Sequence, residues 1–238
     1  MRSQSTTASS GAGTLPRIVL LDANVFFSPR MRDLFMHLRE REVIHLHWTK
    51  LIEDEWVRNV VAKQGADRRD IEDCLLGMRE AAADWEVDGF ERYEERFETV
   101  DPKDRHVAAA AYKLSKEEWP GQPVALVTRN VDDFPQAAFK DTEVTRFSMS
   151  GYLDQLYKES PAELIAVLEI SRKKLKNPRL GRAEYVAVLA RNGCTSLAPA
   201  IAEFWKVPCP TIGPGGIVTY NEVTGKAKAA KIAGEEGG

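Results

Sequence analysis

The run Ile18-Val19-Leu20-Leu21 is apolar at every position and stops on an acid, Asp22. A strand with one face in water alternates apolar and polar residues, so an unbroken apolar run describes a strand covered on both faces. Such a run is the pattern of a strand in a parallel sheet packed between helices, and strands alternating with helical segments along the chain argue an α/β architecture. The residues that follow agree. Ser28-Pro29 opens a segment with Met31, Leu34, Phe35 and Leu38 at helical spacing, and a second extended run spans Val43 to Trp48. Strand, helix and strand make a βαβ unit.

Two more helices are expected over about residues 50–63 and 68–84, with a short one near 90–98. Asp101-Pro102 then starts a helix that runs through His106 to Leu114, with Asp101 as N-cap and Pro102 in its first turn. Val124-Ala125-Leu126-Val127 is the next strand, followed by turn residues from Asn130 to Pro135, a short strand around Val144 and a helix from Ser148 to Lys158. After Ser160-Pro161 the pattern is wholly helical, over about 162–176, 182–192 and 196–206. In the last stretch, Asn221 to Gly225 reads as a hairpin turn between short strands. The expected organisation is a disordered tail over 1–14, a parallel-sheet α/β/α domain over 15–158, a C-terminal helical appendage over 159–206 and a Pro/Gly-rich tail over 207–238.

A formal net charge of −3 removes any global cationic field, so contact with nucleic acid has to be local. Cys74, Cys194 and Cys209 are scattered and show no metal-ligand spacing, which argues against a disulfide framework or structural zinc and fits a reducing cytoplasm. The first residues lack the apolar core of a signal peptide, and no later apolar run reaches the length of a membrane span.

Ligands of parallel sheets bind beyond the carboxyl ends of the strands, where Asp22 and the 128–133 segment fall. Asp22 either caps the helix that follows or projects into that opening. Glu55 shares a helix side with Ile52, Trp56 and Asn59, whereas Asp54 and Arg58 point away. An acid on an apolar border requires a compensating cation or hydrogen bond. Asp104 is either the acid of a capping box or the head of a stripe with Val107, Ala108 and Ala111 that packs on the sheet. Behind the next strand, Thr128, Asn130, Asp132 and Asp133 crowd oxygen donors into one turn. Convergence of Asp22, Glu55, Asp104 and Asp133 at one sheet edge calls for a counter-cation, and hard oxygen ligands suit Mg²⁺ or Mn²⁺.

Leu21-Asp22-Ala23-Asn24-Val25, the acids of Glu53-Asp54-Glu55-Trp56, Asp101-Pro102-Lys103-Asp104-Arg105-His106 and Val127-Thr128-Arg129-Asn130-Val131-Asp132-Asp133-Phe134-Pro135 resemble, in that order, the four motifs of PIN-domain nucleases. The resemblance covers about residues 17–150 and looks closest to the VapC-like toxin branch. It implies a Mg²⁺- or Mn²⁺-dependent endoribonuclease in which Asp22, Glu55 and Asp104 are the first three acids. Asn130, Asp132 and Asp133 compete for the fourth position, with Asp133 preferred as the carboxylate and Asn24, Thr128 and Asn130 as positioning groups. It also implies an RNA substrate, a small antitoxin protein and a homodimer, and says nothing about the appendage.

Metal-assisted hydrolysis needs no side-chain nucleophile, which agrees with the lack of a Ser/His/Asp or Cys/His set. Arg30, Lys103, Arg105 and Arg129 lie near the motif ends as RNA-contact candidates. The most basic stretch, Arg172 to Lys176 with Arg179 and Arg182, reads either as an RNA- or partner-binding face or as a solvated helix. The rival functions are a non-catalytic PIN-like binding module, a solitary RNA-processing nuclease and a metal-dependent phosphatase. Asp22-Ala23-Asn24 lacks the second acid that an aspartyl-phosphate phosphatase uses.

Overall fold

The computed structural model describes residues 14–65, 67–213 and 218–220. Its centre is a four-stranded sheet of β1 (Ile18–Leu21), β2 (His45–His47), β3 (Val124–Thr128) and β4 (Val144–Ser148). The order is β2-β1-β3-β4, and every pairing is parallel. β1 and β3 are buried at every residue, as unbroken apolar runs in a helix-covered sheet should be. Chain order reverses direction across the sheet between β1 and β3, because β1 leads outward to β2 while β3 leads the other way to β4. That reversal leaves a crevice beyond the carboxyl ends of β1 and β3.

After β1 come a single turn, α1 (Ala23–Phe26), and α2 (Pro29–Glu40). Ser28 caps α2 by accepting the Met31 amide, and Pro29 fills the first position, where its missing N–H leaves no bond unmade. β2 is shorter than the run from Val43 predicts. Glu42 takes a positive φ of 57° and the Val43 amide returns to Leu38, so the end of α2 consumes Val43 and Ile44 in a bend. Thr49 then caps α3 (Lys50–Gln64), and Asp67 caps α4 (Arg68–Ala81). Phe26 sits edge-on to both Trp48 and Trp56, and Trp48 stacks on Trp85 at 5.0 Å, which seats α3 against α1 and β2.

The helix expected from Asp101 begins later. α5 spans Arg105–Lys113, and Asp101 instead bonds the Lys103 amide through Oδ1 at 3.1 Å, closing a turn before it. Asp104 is therefore the N-cap residue of α5, with no cap bond from its side chain, rather than an acid inside the first turn. The small face Ala108 to Ala111 is fully buried, which lets α5 lie close on the sheet.

Beyond β4, α6 (Met149–Glu159), α7 (Pro161–Lys174), α8 (Arg182–Arg191) and α9 (Leu197–Trp205) form the helical C-terminal part. α7 packs on α2 and α6, α9 on α6 and α8, and their apolar residues join the same buried cluster as the sheet. The strands of the last segment are β5 (Pro210–Ile212) and β6 (Val218–Tyr220), paired antiparallel. The turn read at Asn221 to Gly225 lies outside the described residues, as do the residues before Thr14. Among the described residues no helix is long and apolar enough to cross a membrane.

Candidate acidic cleft

The crevice beyond β1 and β3 is a cleft of about 470 Å³. Asp22, Glu55, Asp104 and Asp133 all line it, with Asn24 and Asn130 beside them. Each acid arrives by a separate element: Asp22 from the end of β1, Glu55 from α3, Asp104 from the start of α5, and Asp133 from a short turn after β3. Of the three residues in contention behind β3, Asn130 and Asp133 reach the cleft and Asp132 is not among its lining residues.

Asp22 is 7 % exposed and makes no helix-cap bond with its side chain, so the capping alternative is set aside. Its Oδ2 accepts from Thr128 Oγ1 at 2.7 Å and from Asn24 Nδ2 at 2.6 Å. Asn24 also donates to Thr128 Oγ1, and its Oδ1 accepts the Arg129 amide at 2.8 Å. The Asn130 amide closes the set by donating to Thr128 Oγ1. These bonds lock the ends of the two central strands together and fix one oxygen of the Asp22 carboxylate. Burial, with the charges of Glu55 and Asp104 adding to it, pushes the Asp22 carboxyl up to about 6 against the Thr128 hydrogen bond.

Asp104 is likewise raised by burial, held back by Lys103 and raised again by Asp133, Asp101 and Glu55. Its Oδ2 is buried without a hydrogen-bond partner, and the Lys103 ammonium stands 3.6 Å from it. A buried carboxylate oxygen without a hydrogen bond costs free energy that a strong donor or a closer cation would recover. His106 also lines the cleft, where burial lowers its pKa and its Nδ1 lacks a partner. The sequence gives no sign of this placement, because one histidine on a helix carries no pattern of its own.

Other candidates are placed differently. Arg105 turns back to hold the Val100 and Glu98 carbonyls at 3.1 and 3.0 Å, and is a structural clasp for the preceding turn. Arg30 is not among the residues lining the cleft, whereas Asp54 and Arg58, expected to point away, reach its rim together with Leu51. The basic run of α7 is largely spent within the molecule: Arg172 and Lys173 pair with Glu169, and Lys174 with Glu40. Arg182 also turns to Glu169.

Within the motif segment 53–56 the buried acid is Glu53, at 0 % exposure. It accepts from the Trp48 indole at 3.0 Å, from the Arg79 guanidinium and from Lys50 at 3.4 Å. Glu53 therefore clips α3 to β2 and α4 and does not line the cleft.

Among the described residues no three His, Cys, Asp or Glu side chains already stand close enough together to hold a metal ion. Compared with family models, curated proteins and solved structures, the chain finds no match.

Proposed function

We propose that the protein is a Mg²⁺- or Mn²⁺-dependent endoribonuclease of PIN-like architecture, with Asp22, Glu55, Asp104 and Asp133 as its acidic centre. The reading is carried by one observation: four carboxylates from four separate elements meet in one cleft at the switch point of a parallel sheet. Asp22 and Asp104 are both raised from the ordinary carboxylate value, and Asp104 has a buried oxygen without a hydrogen bond. Like charges gathered at that cost suit a site completed by a cation. The donors are hard oxygens without a thiolate, which favours Mg²⁺ or Mn²⁺, and adjustment of the carboxylate rotamers is needed to close the set.

Bound there, the ion would lower the pKa of a water and neutralise charge on a phosphodiester. The protein's own groups do the positioning. Thr128 and Asn24 hold the Asp22 carboxylate by Oδ2, so it need not reorganise when charge develops nearby. Lys103 and Arg58 place positive charge at the mouth of an otherwise acidic cleft, where the phosphate oxygens of RNA arrive. Burial keeps His106 neutral, so it adds no charge against the cation.

The sequence resemblance extends the proposal to a cytoplasmic toxin of a type II toxin–antitoxin pair, held by a small antitoxin protein and working as a homodimer. The test is cleavage of a panel of structured and single-stranded RNAs by purified protein with Mg²⁺, Mn²⁺ or EDTA, beside an Asp22→Asn, Asp104→Asn variant. Metal-dependent cleavage that the variant loses is the expected result. A folded, partner-free protein that neither cleaves RNA nor binds Mn²⁺ by calorimetry overturns the reading in favour of a non-catalytic binding module.

A further inference from the structure

Arg129 links the surroundings of the acidic cleft to the helical C-terminal part. Arg129 gives its backbone N–H to Asn24, inside the hydrogen-bond set that holds Asp22, while its guanidinium donates to Asn192 Oδ1 at 3.1 Å. Asn192 stands at the corner where α8 stops. The amides of Asn192 and Gly193 fold back onto Val188, Leu189 and Ala190, and Gly193 takes a φ of +83°, open to glycine at little cost. That corner brings Arg191 to the same hollow as Arg129.

The hollow is a cavity of about 320 Å³ lined by Arg129, Arg191, Asn192, Gly193 and residues Ser148 to Ser150. Among the described residues, those lining it include no acid. Neither arginine takes part in an ion pair among the described residues, in contrast with Arg172, Lys173, Lys174 and Arg182. Asp154 is close enough to raise the Cys194 thiol while Arg129 lowers it, but it pairs with neither guanidinium. Two cations from different parts of the fold thus face one polar cavity with their charge unspent. The adjacent residue Asn130 lines the acidic cleft, so the basic hollow and the acidic cleft are neighbours along the chain.

We propose that this cavity is a phosphate subsite for the RNA strand, in which Arg129 and Arg191 bind a phosphodiester flanking the one presented to the acids. The inference rests on the ribonuclease reading and names how its substrate is held. A guanidinium offers two parallel N–H donors to phosphate oxygens, and the Ser148 and Ser150 hydroxyls lie 3.4 Å apart in the same lining. An acidic cleft beside a basic hollow fixes where the strand lies. Phosphate contacts carry no sequence information, so the subsite sets register and affinity rather than base preference. It also assigns work to the C-terminal helices: α8 supplies half of the charge.

Binding is measured with the full chain carrying Asp22→Asn, a fluorescein-labelled single-stranded RNA and anisotropy across a salt series. Arg129→Gln with Arg191→Gln should weaken binding about tenfold and flatten the dependence of log affinity on log salt by about 0.7 for each phosphate the protein no longer neutralises. Lys176→Gln with Arg179→Gln should change neither. Arg129→Lys with Arg191→Lys should recover most of the slope, which a folding defect would not allow. Unchanged affinity and slope in the glutamine variant overturn the subsite, and so does tighter binding of polyglutamate than of RNA at these arginines. The two readings fail separately. Wild-type protein that binds RNA through these arginines but never cleaves it retains the subsite and loses the nuclease, whereas wild-type protein that binds no RNA loses both.

Discussion

Glu53 and Asp22 are both buried carboxylates, 0 % and 7 % exposed, yet they are solvated by the protein in opposite ways. Glu53 is surrounded by cations and an indole donor: Arg79 grips both of its oxygens, Lys50 stands at 3.4 Å and Trp48 at 3.0 Å. Asp22 receives only neutral donors, Thr128 and Asn24, and faces the charges of Glu55 and Asp104. The Glu53 arrangement is complete within the chain and ties α3 to α4. The Asp22 arrangement is held rigid but left short of positive charge, at a cost the rest of the core has to offset. A buried acid therefore reads as structural or functional by its partners, not by its burial.

The largest effect is expected on the self-contained side. Arg79→Met strands Glu53 in the core with Lys50 as its remaining cation, which should cost about 3 kcal/mol of unfolding free energy in urea titrations. That is the low end for breaking a buried pair, because Arg79 is itself 38 % exposed. A loss below about 1 kcal/mol would show that the Arg79 contact is not what holds the clip together.

Asp22 should respond with the opposite sign. The folded protein keeps this proton up to about pH 6, while an unfolded chain releases it near the ordinary 3.8, so folding takes up a proton between those values. Stability from this residue falls as pH rises from about 4 to 6 and stays lost above that. Asp22→Asn removes the penalty and should stabilise metal-free protein at pH 7 by about 2 kcal/mol, allowing for loss of the charge-assisted Thr128 bond. Destabilisation by this substitution would mean that the carboxylate is already satisfied without a cation.

The contrast between the two acids also marks where the sequence is legible. β1 and β3 are visible because an unbroken apolar run has local meaning, and Asp22 and Thr128 follow directly as strand ends. Glu55 is legible from helical periodicity. Glu53 is not, since its main partner, Arg79, stands 26 residues away on another helix. The start of α5 misleads for a related reason: Asp101-Pro102 has the composition of a helix start, but the Lys103 amide gives Asp101 a turn to close instead. The α7 charges read as a free basic face until Glu169 and Glu40 meet them in space.

Cation binding is the next test, with a smaller effect. If Mn²⁺ joins Asp22 to its neighbouring acids, it must displace the proton that burial holds there until about pH 6. The rise in melting temperature produced by Mn²⁺ should be full near pH 7.5 and shrink below about pH 6, with apparent affinity falling about tenfold for each pH unit. Asp22→Asn should abolish the rise, and Arg79→Met should leave it intact on a lower baseline. A pH-independent Mn²⁺ effect would place the ion away from Asp22.

The smallest effect concerns Asn24, whose side chain touches Asp22, Thr128 and the Arg129 backbone together. Asn24→Ala deletes these bonds, but the Thr128 hydroxyl and the Asn130 amide still tie β3 to the site, so stability should fall by only about 1 kcal/mol. Its consequence should be seen in positioning. With one of its two side-chain donors gone, Asp22 turns more freely and its pKa rises further, because an uncompensated buried carboxylate prefers the proton. The pH at which Mn²⁺ stabilisation is half lost should therefore move upward in Asn24→Ala, while the midpoint in Arg79→Met stays where it is. An upward shift confined to Asn24→Ala separates a residue that tunes the acidic centre from one that holds the fold, even though the fold-holding substitution costs more stability.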